Sequence, residues 1–216
     1  MKNLAVFVSG RGSNFRTIHE AIGAGEIPAT IALVVTHDLA CEAAHWAADK
    51  ALPLFQYPGG ADAEELLRAM TSARIDLAVL AGYIKLVPAL VVSAYRRRIV
   101  NIHPAPLPQF GGPGFYGRKV HDEVLRSGVK VSGPTVHFVD EQYDHGAVLA
   151  SIAVPVLPDD NPRSLARRVL EQEHILYPRV VAALCHDRVV WDAQGHPRLL
   201  ESTQADSASG RVAPAP

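Results

Sequence analysis

The sequence predicts an α/β protein: a Rossmann-like, mixed but mostly parallel sheet flanked by helices. Three observations predict it. Short apolar runs of strand length alternate with amphipathic stretches of ten or so residues, the pattern of βαβ units with right-handed crossovers. The first run, Leu4-Ala5-Val6-Phe7-Val8, is apolar throughout, as in a strand covered on both faces, and leads into a glycine-rich turn. Later in the chain, two apolar stretches flank an acidic loop, so a hairpin joins the parallel strands and the sheet becomes mixed.

Composition sets the outer limits. The chain has 216 residues, enough for one α/β domain with a full core. Residues 1–201 read as that single domain, and Ser202 to Pro216, with hardly any apolar bulk, as a disordered tail. Hydrophobic content is an ordinary 48% and net charge is −1, so neither nucleic acid nor a membrane is an expected partner. Cys41 and Cys185 lie far apart without metal-ligand spacing. They point to a reducing compartment, and with no signal-peptide pattern or bilayer-length apolar run the expected location is the cytoplasm.

The elements follow in order. After the first strand, Ser9-Gly10-Arg11-Gly12-Ser13-Asn14 opens a helix from Phe15 to about Ala24. Such a turn presents free N–H groups at a helix N-terminus and suits an anion, phosphate above all, with Ser13 or Asn14 as N-cap. It is neither the dinucleotide fingerprint nor a Walker loop. Thr30–Thr36 is the second strand, Cys41–Lys50 an alanine-rich helix, and Leu52–Tyr57 a short strand placed at an edge by Pro53. Asp62 caps a helix carrying Leu66, Leu67 and Met70, and Ile75–Ala81 is the next strand. The apolar loop Gly82–Pro88 leaves that strand at its carboxyl end and is read as lining a pocket for a flat, greasy ligand. Pro88 then starts a helix to about Tyr95.

The central stretch is Arg98-Ile99-Val100-Asn101-Ile102-His103-Pro104. Asn101 and His103 share one side of a strand that the prolines at 104, 106 and 108 terminate. Four glycines between Gln109 and Gly117 predict a mobile covering loop. A helix spans Arg118–Ser127. Val129–Ser132 and Thr135–Val139 read as one long strand interrupted at Gly133-Pro134, and Ala147–Val156 as its antiparallel return. Asp160 or Asn161 caps the longest helix, from Pro162 to about Cys185, which Pro178 should kink or split. Val189–Trp191 and Pro197–Leu200 form a small hairpin over Gly195.

Three of these residues form a chemical set. Asn101 offers an N–H₂ that stabilises a developing oxyanion without titrating. His103 moves a proton near neutral pH, and Asp144 would hold it in one tautomer and favour its protonated form. A carbonyl attacked by an amine needs these two services. No serine or cysteine is placed as a nucleophile, which points to direct transfer. His137 is either a supporting residue behind the site or a plain core histidine. His103, His121, His137 and His145 lack zincin spacing, so no metal is expected.

These motifs resemble the phosphoribosylglycinamide formyltransferases of purine synthesis, over essentially Met1 to Leu200. The matching residues are Ser9-Gly10-Arg11-Gly12-Ser13-Asn14, Asn101-Ile102-His103-Pro104, Thr135–Val139 with Asp144-x-Gly146, and Glu173-His174 with Tyr177-Pro178. The resemblance implies the formyltransferase fold and transfer of a formyl group from 10-formyltetrahydrofolate to the glycinamide amine, without a metal. It implies that Gly12, Ser13 and Asn14 hold the ribotide phosphate and that Glu173 takes its ribose hydroxyls or amine-bearing end. Ile84, Lys85, Leu86 and Val87 would border the pterin beside Asn101, with Asp140, Glu141, Gln142 and Tyr143 closing the other side. Asn101, His103 and Asp144 would be the catalytic residues, in a monomer or homodimer. Departures from the family pattern are Ala105-Pro106, the glycine-rich 110–117 loop, Ala147 and Leu170. They touch substrate grip more than the catalytic set. Formyltetrahydrofolate deformylases share the catalytic trio, and a non-catalytic nucleotide-binding module is the alternative of another class.

Overall fold

The computed structural model describes residues 1–60 and 63–200. The cap expected at Asp62 and the tail expected from Ser202 onward lie outside the described residues. The parallel half consists of β1 (Lys2–Val8), β2 (Ala29–Thr36), β3 (Leu54–Gln56), β4 (Leu77–Leu80) and β5 (Ile99–His103). Between them run α1 (Ser13–Gly23), α2 (Glu42–Asp49), α3 (Ala63–Ser72) and α4 (Ala89–Ala94). After α5 (Arg118–Ser127) come the short strands β6 (Val131–Ser132), β7 (Thr135–Phe138), β8 (Val148–Ser151) and β9 (Val154–Pro155). The long helix α6 (Pro162–Cys185) and the hairpin β10 (Val189–Trp191) and β11 (Pro197–Leu199) complete the described chain.

The main sheet has seven strands in the order β3-β2-β1-β4-β5-β7-β8. Pairing is parallel from β3 to β5 and antiparallel beyond it. β3 is the edge that Pro53 foretold. The alternation of β1 explains why both faces are covered. Leu4, Val6 and Val8 enter a core with Phe15 and Ile18 of α1 and Leu176, Val180 and Val181 of α6. Ala5 and Phe7 face the opposite core, with Leu66 and Met70 of α3 and Val91 of α4. Leu4 through Val8 are fully buried, as a continuous apolar strand should be.

Three expectations are corrected in whole or in part. The stretches 129–139 and 147–156 are not single strands. β7 and β8 belong to the main sheet, whereas β6 and β9 pair with each other in a separate two-stranded sheet. The cause is local: Gly133 takes φ 132° and its backbone lies against the Ile152 carbonyl, where any Cβ would collide, so both chains turn out of the sheet together. Pro178 does not split α6, which is helical from Pro162 to Cys185. Its residues Leu176, Tyr177, Val180 and Val181 on both sides of the proline are buried, so packing holds the helix through the lost N–H. Asn161, not Asp160, is the cap, in a reciprocal pair with Ser164, and Asp160 instead binds Arg168. Pro88 sits at the N-cap of α4, one place before the position expected.

Candidate active site

The strand order reverses between β1 and β4, and the site lies at the carboxyl ends of these strands and of β5. Its first part is the turn after β1. Gly12 adopts φ 73°, and a Cβ there would come within 2.7 Å of Ala43 Cβ, so only glycine fits. The first helical hydrogen bond of α1 runs from Arg16 N–H to the Gly12 carbonyl, at 2.9 Å. The N–H groups of Ser13 and Asn14 therefore have no partner within the helix and are left for an outside acceptor. The expected side-chain cap by Ser13 or Asn14 is not made. The helix begins at Ser13 with Gly12 as N-cap, and the buried Asn14 amide turns toward α6 and donates to Glu173. Burial pushes the Glu173 carboxyl upward, against the Asn14 hydrogen bond and the charge of His103. That electrostatic link connects the turn to the catalytic corner.

The second part is a shallow, open cleft. Lys85, Leu86 and Val87 border it on one side, Gln142 and Tyr143 on the other, and Asn101, His137 and Asp144 lie at its inner end. Tyr83, within the loop expected to line a pocket, also lines it, as do Leu80 and Val139, which sequence reasoning missed. Their signal was available, since each ends or follows a strand. Ile84, Asp140 and Glu141, expected here, lie outside the lining. Ile84 is exposed, with its backbone N–H bound to Ser9 Oγ. The Asp140 carboxylate is taken up by His145 Nδ1 at 2.6 Å and by the Gln142 N–H at 2.9 Å. Glu141 is exposed.

The third part brings the chemical set together. Asp144 stands at φ 53° in the β7–β8 connection, and its Oδ1 lies 3.4 Å from His103 Nδ1. Asn101 Nδ2 donates toward the same oxygen at 3.5 Å and to His137 Nε2 at 3.0 Å. His137 donates its Nδ1–H to the Phe138 carbonyl at 2.8 Å, which leaves Nε2 as the acceptor that aims the Asn101 amide. His137 thus acts through Asn101 and is not a plain core residue. The covering loop meets the set directly. The Phe110 carbonyl accepts from His103 Nε2 at 2.7 Å, and the Gly112 N–H donates to Asp144 Oδ2 at 3.0 Å. A Cβ on Gly111 would stand 2.8 Å from Asp144 Cβ, so this close approach needs glycine.

Electrostatics fit the geometry. Burial acts to raise the Asp144 carboxyl, but its interaction with His103 and the Gly112 N–H overcome it. The carboxyl is held well below the ordinary carboxylate range, so the group is an anion at working pH. The His103 ring meets an acceptor at each nitrogen, so a second proton on it would find a partner. His121 of α5 is also buried, and burial with the neighbouring His103 pushes it down to about 4, so it adds no competing charge. Among the described residues no group of three or more His, Cys, Asp or Glu side chains is arranged to hold a metal.

A profile of the formyl transferase family matches residues 2–181. The chain belongs to that family. A chloroplastic phosphoribosylglycinamide formyltransferase of Arabidopsis thaliana is 45% identical over 212 residues, 95% of this chain and 73% of that one. The phosphoribosylglycinamide formyltransferase of Haemophilus influenzae is 33% identical over 208 residues, 94% of this chain and 92% of that one. Among solved structures, glycinamide ribonucleotide transformylase 1 of Symbiobacterium toebii superposes with a TM-score of 0.84 at 32% identity, covering 93% and 95% of the two chains. In this formyl transferase Asn101 and Asp144 line the cleft, while residues 9–14, Glu173 and His103 lie outside its lining.

Proposed function

We propose that this formyl transferase moves the formyl group of 10-formyltetrahydrofolate to the amine of 5-phosphoribosylglycinamide, a step of de novo purine synthesis. The observation that carries the reading is that Asn101 and Asp144, in contact with His103, line a cleft at the carboxyl ends of the strands, on the sheet rim that also carries the turn after β1. The turn is one cradle, of free N–H groups backed by Glu173, suited to a phosphorylated ribotide. The other is a mixed cleft, with Leu80, Leu86, Val87 and Val139 beside Lys85, Asn101, Gln142 and Asp144, suited to a flat pterin edged with hydrogen-bonding groups. The names borne by the relatives support the same reaction.

Each residue then has a task. Gly12, Ser13 and Asn14 hold the phosphate through backbone N–H groups, and Glu173 accepts from the ribose or the amine-bearing end. Lys85, Leu86, Val87, Gln142 and Tyr143 enclose the pterin. As the amine adds to the formyl carbon, charge builds on the formyl oxygen. Asn101 meets it with the N–H whose present contact to Asp144 is long, while the N–H bound to His137 stays fixed. The proton leaving the attacking nitrogen passes to the His103–Asp144 pair and returns to the departing folate nitrogen. No acyl-enzyme forms, and no metal takes part in this scheme.

No described helix is long and apolar enough to cross a membrane. Cys41 and Cys185 are both free thiols, which supports a reducing compartment, here the cytoplasm. We further propose that residues 1–201 act as one domain, as a monomer or homodimer, on small-molecule substrates alone. The test is turnover with both substrates and with the unphosphorylated riboside of glycinamide. Formylated ribotide should form with a KM at least tenfold below that for the riboside. Equal KM values would remove the phosphate role of the turn, and absence of product would remove the function.

A further inference from the structure

We propose that Ser9 and His37 are positioning residues that fasten the pterin-side loop to the ribotide turn and so fix the separation of the two substrates. Ser9 is the first residue beyond β1, His37 the first beyond β2, and the loop 82–88 follows β4. These three strands are neighbours in the sheet, so their exits lie side by side. The β1–β2 ladder ends at the pair Val8 and Thr36, and past it the backbone needs new partners.

Ser9 supplies one of them. Its Oγ accepts the Ile84 N–H at 3.1 Å, across 75 positions of sequence. The same hydroxyl lies 3.1 Å from His37 Nδ1. A serine hydroxyl has one proton to give, so donating to His37 while accepting from Ile84 fixes its orientation. The His37 ring also meets the edge of Tyr83 at 6.3 Å, and Tyr83 packs edge-on against Phe7 of β1 at 5.3 Å. Tyr83 lines the cleft, so the bracket touches the pterin side through a ring and a backbone amide, and the phosphate side through its own chain. None of the hydrogen bonds made by Asn101, His103 and Asp144 involves Ser9 or His37. The pair should therefore act on where the folate sits, not on the chemical step.

This inference rests on the function proposed above. Its test compares Ser9→Ala, Ser9→Thr and His37→Phe, the last keeping a ring against Tyr83 while removing the acceptor. The measurements are both KM values, kcat, thermal midpoint, hydrogen exchange at the Ile84 amide and direct titration with tetrahydrofolate. Ser9→Ala should raise the KM for 10-formyltetrahydrofolate about fivefold, the scale of one lost hydrogen bond, with kcat within about twofold. Exchange at Ile84 should quicken about tenfold, Ser9→Thr should restore both values, and His37→Phe should change them in the same direction by less. A folate KM unchanged by Ser9→Ala and His37→Phe would overturn the proposal. So would a joint fall of kcat, both affinities and thermal midpoint, which marks a merely structural role. Exchange and titration need no turnover, so a wild type that transfers no formyl group would refute the function without deciding the bracket.

Discussion

The parallel and antiparallel halves of the sheet contribute to the site in different ways. On the parallel side, the chain leaves β1 and β4 as loops that run on into helices, and these loops offer largely backbone and apolar surface. On the antiparallel side, β7 lies against β5 in register, and His137 stands directly opposite Asn101. Directly opposed residues bring their side chains within reach of one another. The short return from β7 to β8 keeps Asp144 over the same rim, whereas a parallel connection would carry the chain away through a helix. In the proposed reaction the parallel exits supply most of the grip, the β7–β8 connection closes the cleft with Gln142 and Tyr143, and the chemical groups converge at β5, where the sheet changes direction.

The largest effect expected from this division is on Asn101→Ala and His103→Ala. Each should lower kcat by about two to four orders of magnitude with tetrahydrofolate binding kept, as read by single-turnover rates beside equilibrium titration. Equal loss of binding would break the comparison. Next come the close backbone approaches. In Gly146→Ala the new Cβ would strike the Phe138 carbonyl, and in Gly12→Ala it would strike Ala43 in a left-handed backbone. Each should cost about 2 kcal/mol in urea unfolding. Gly12→Ala should also raise the ribotide KM while leaving that of the folate in place, which would sharpen the separation of the cradles.

Smaller effects appear in the pH dependence of stability, with opposite signs for the two buried carboxyls. Asp144 is depressed in the folded chain, so the unfolded chain binds more protons in the interval. Its stabilisation is present above about pH 4 and is lost as pH falls. Asp144→Asn should thus be destabilising at neutral pH and progressively less so in acid. Glu173 is raised by burial, so the folded chain holds the proton longer and stability is lost as pH rises above about 4.3. Glu173→Gln should therefore be the more stable variant at neutral pH, with the advantage fading in acid, although its ribotide KM should rise. Urea titrations from pH 3 to pH 8 would show whether the two slopes differ in sign.

The same division explains what could be read from the sequence. Uniform apolar runs such as Leu4–Val8 and glycine turns such as 9–14 carry local signals, so the parallel half was legible nearly to the residue. Asn101 and His103 were legible because period-two spacing and the prolines act within a few positions. The transfer of β6 and β9 to a second sheet was not legible, because it depends on Gly133 meeting a carbonyl 19 positions away. The roles of His137 and of the Phe110 carbonyl depend on strand register and loop closure, which pattern does not encode. Of the kink or split expected at Pro178, the split is absent, because packing on both sides holds α6 through the proline.

In the proposed reaction the formyl group passes directly between two nitrogens, without a stop on water or on the protein. The most direct test is turnover in ¹⁸O-enriched water, with mass analysis of formylated ribotide and of formate. The account predicts ribotide product without ¹⁸O, formed one for one with tetrahydrofolate, and little formate when ribotide is omitted. Labelled formate released at the same rate with or without ribotide would contradict it and make the protein a hydrolase.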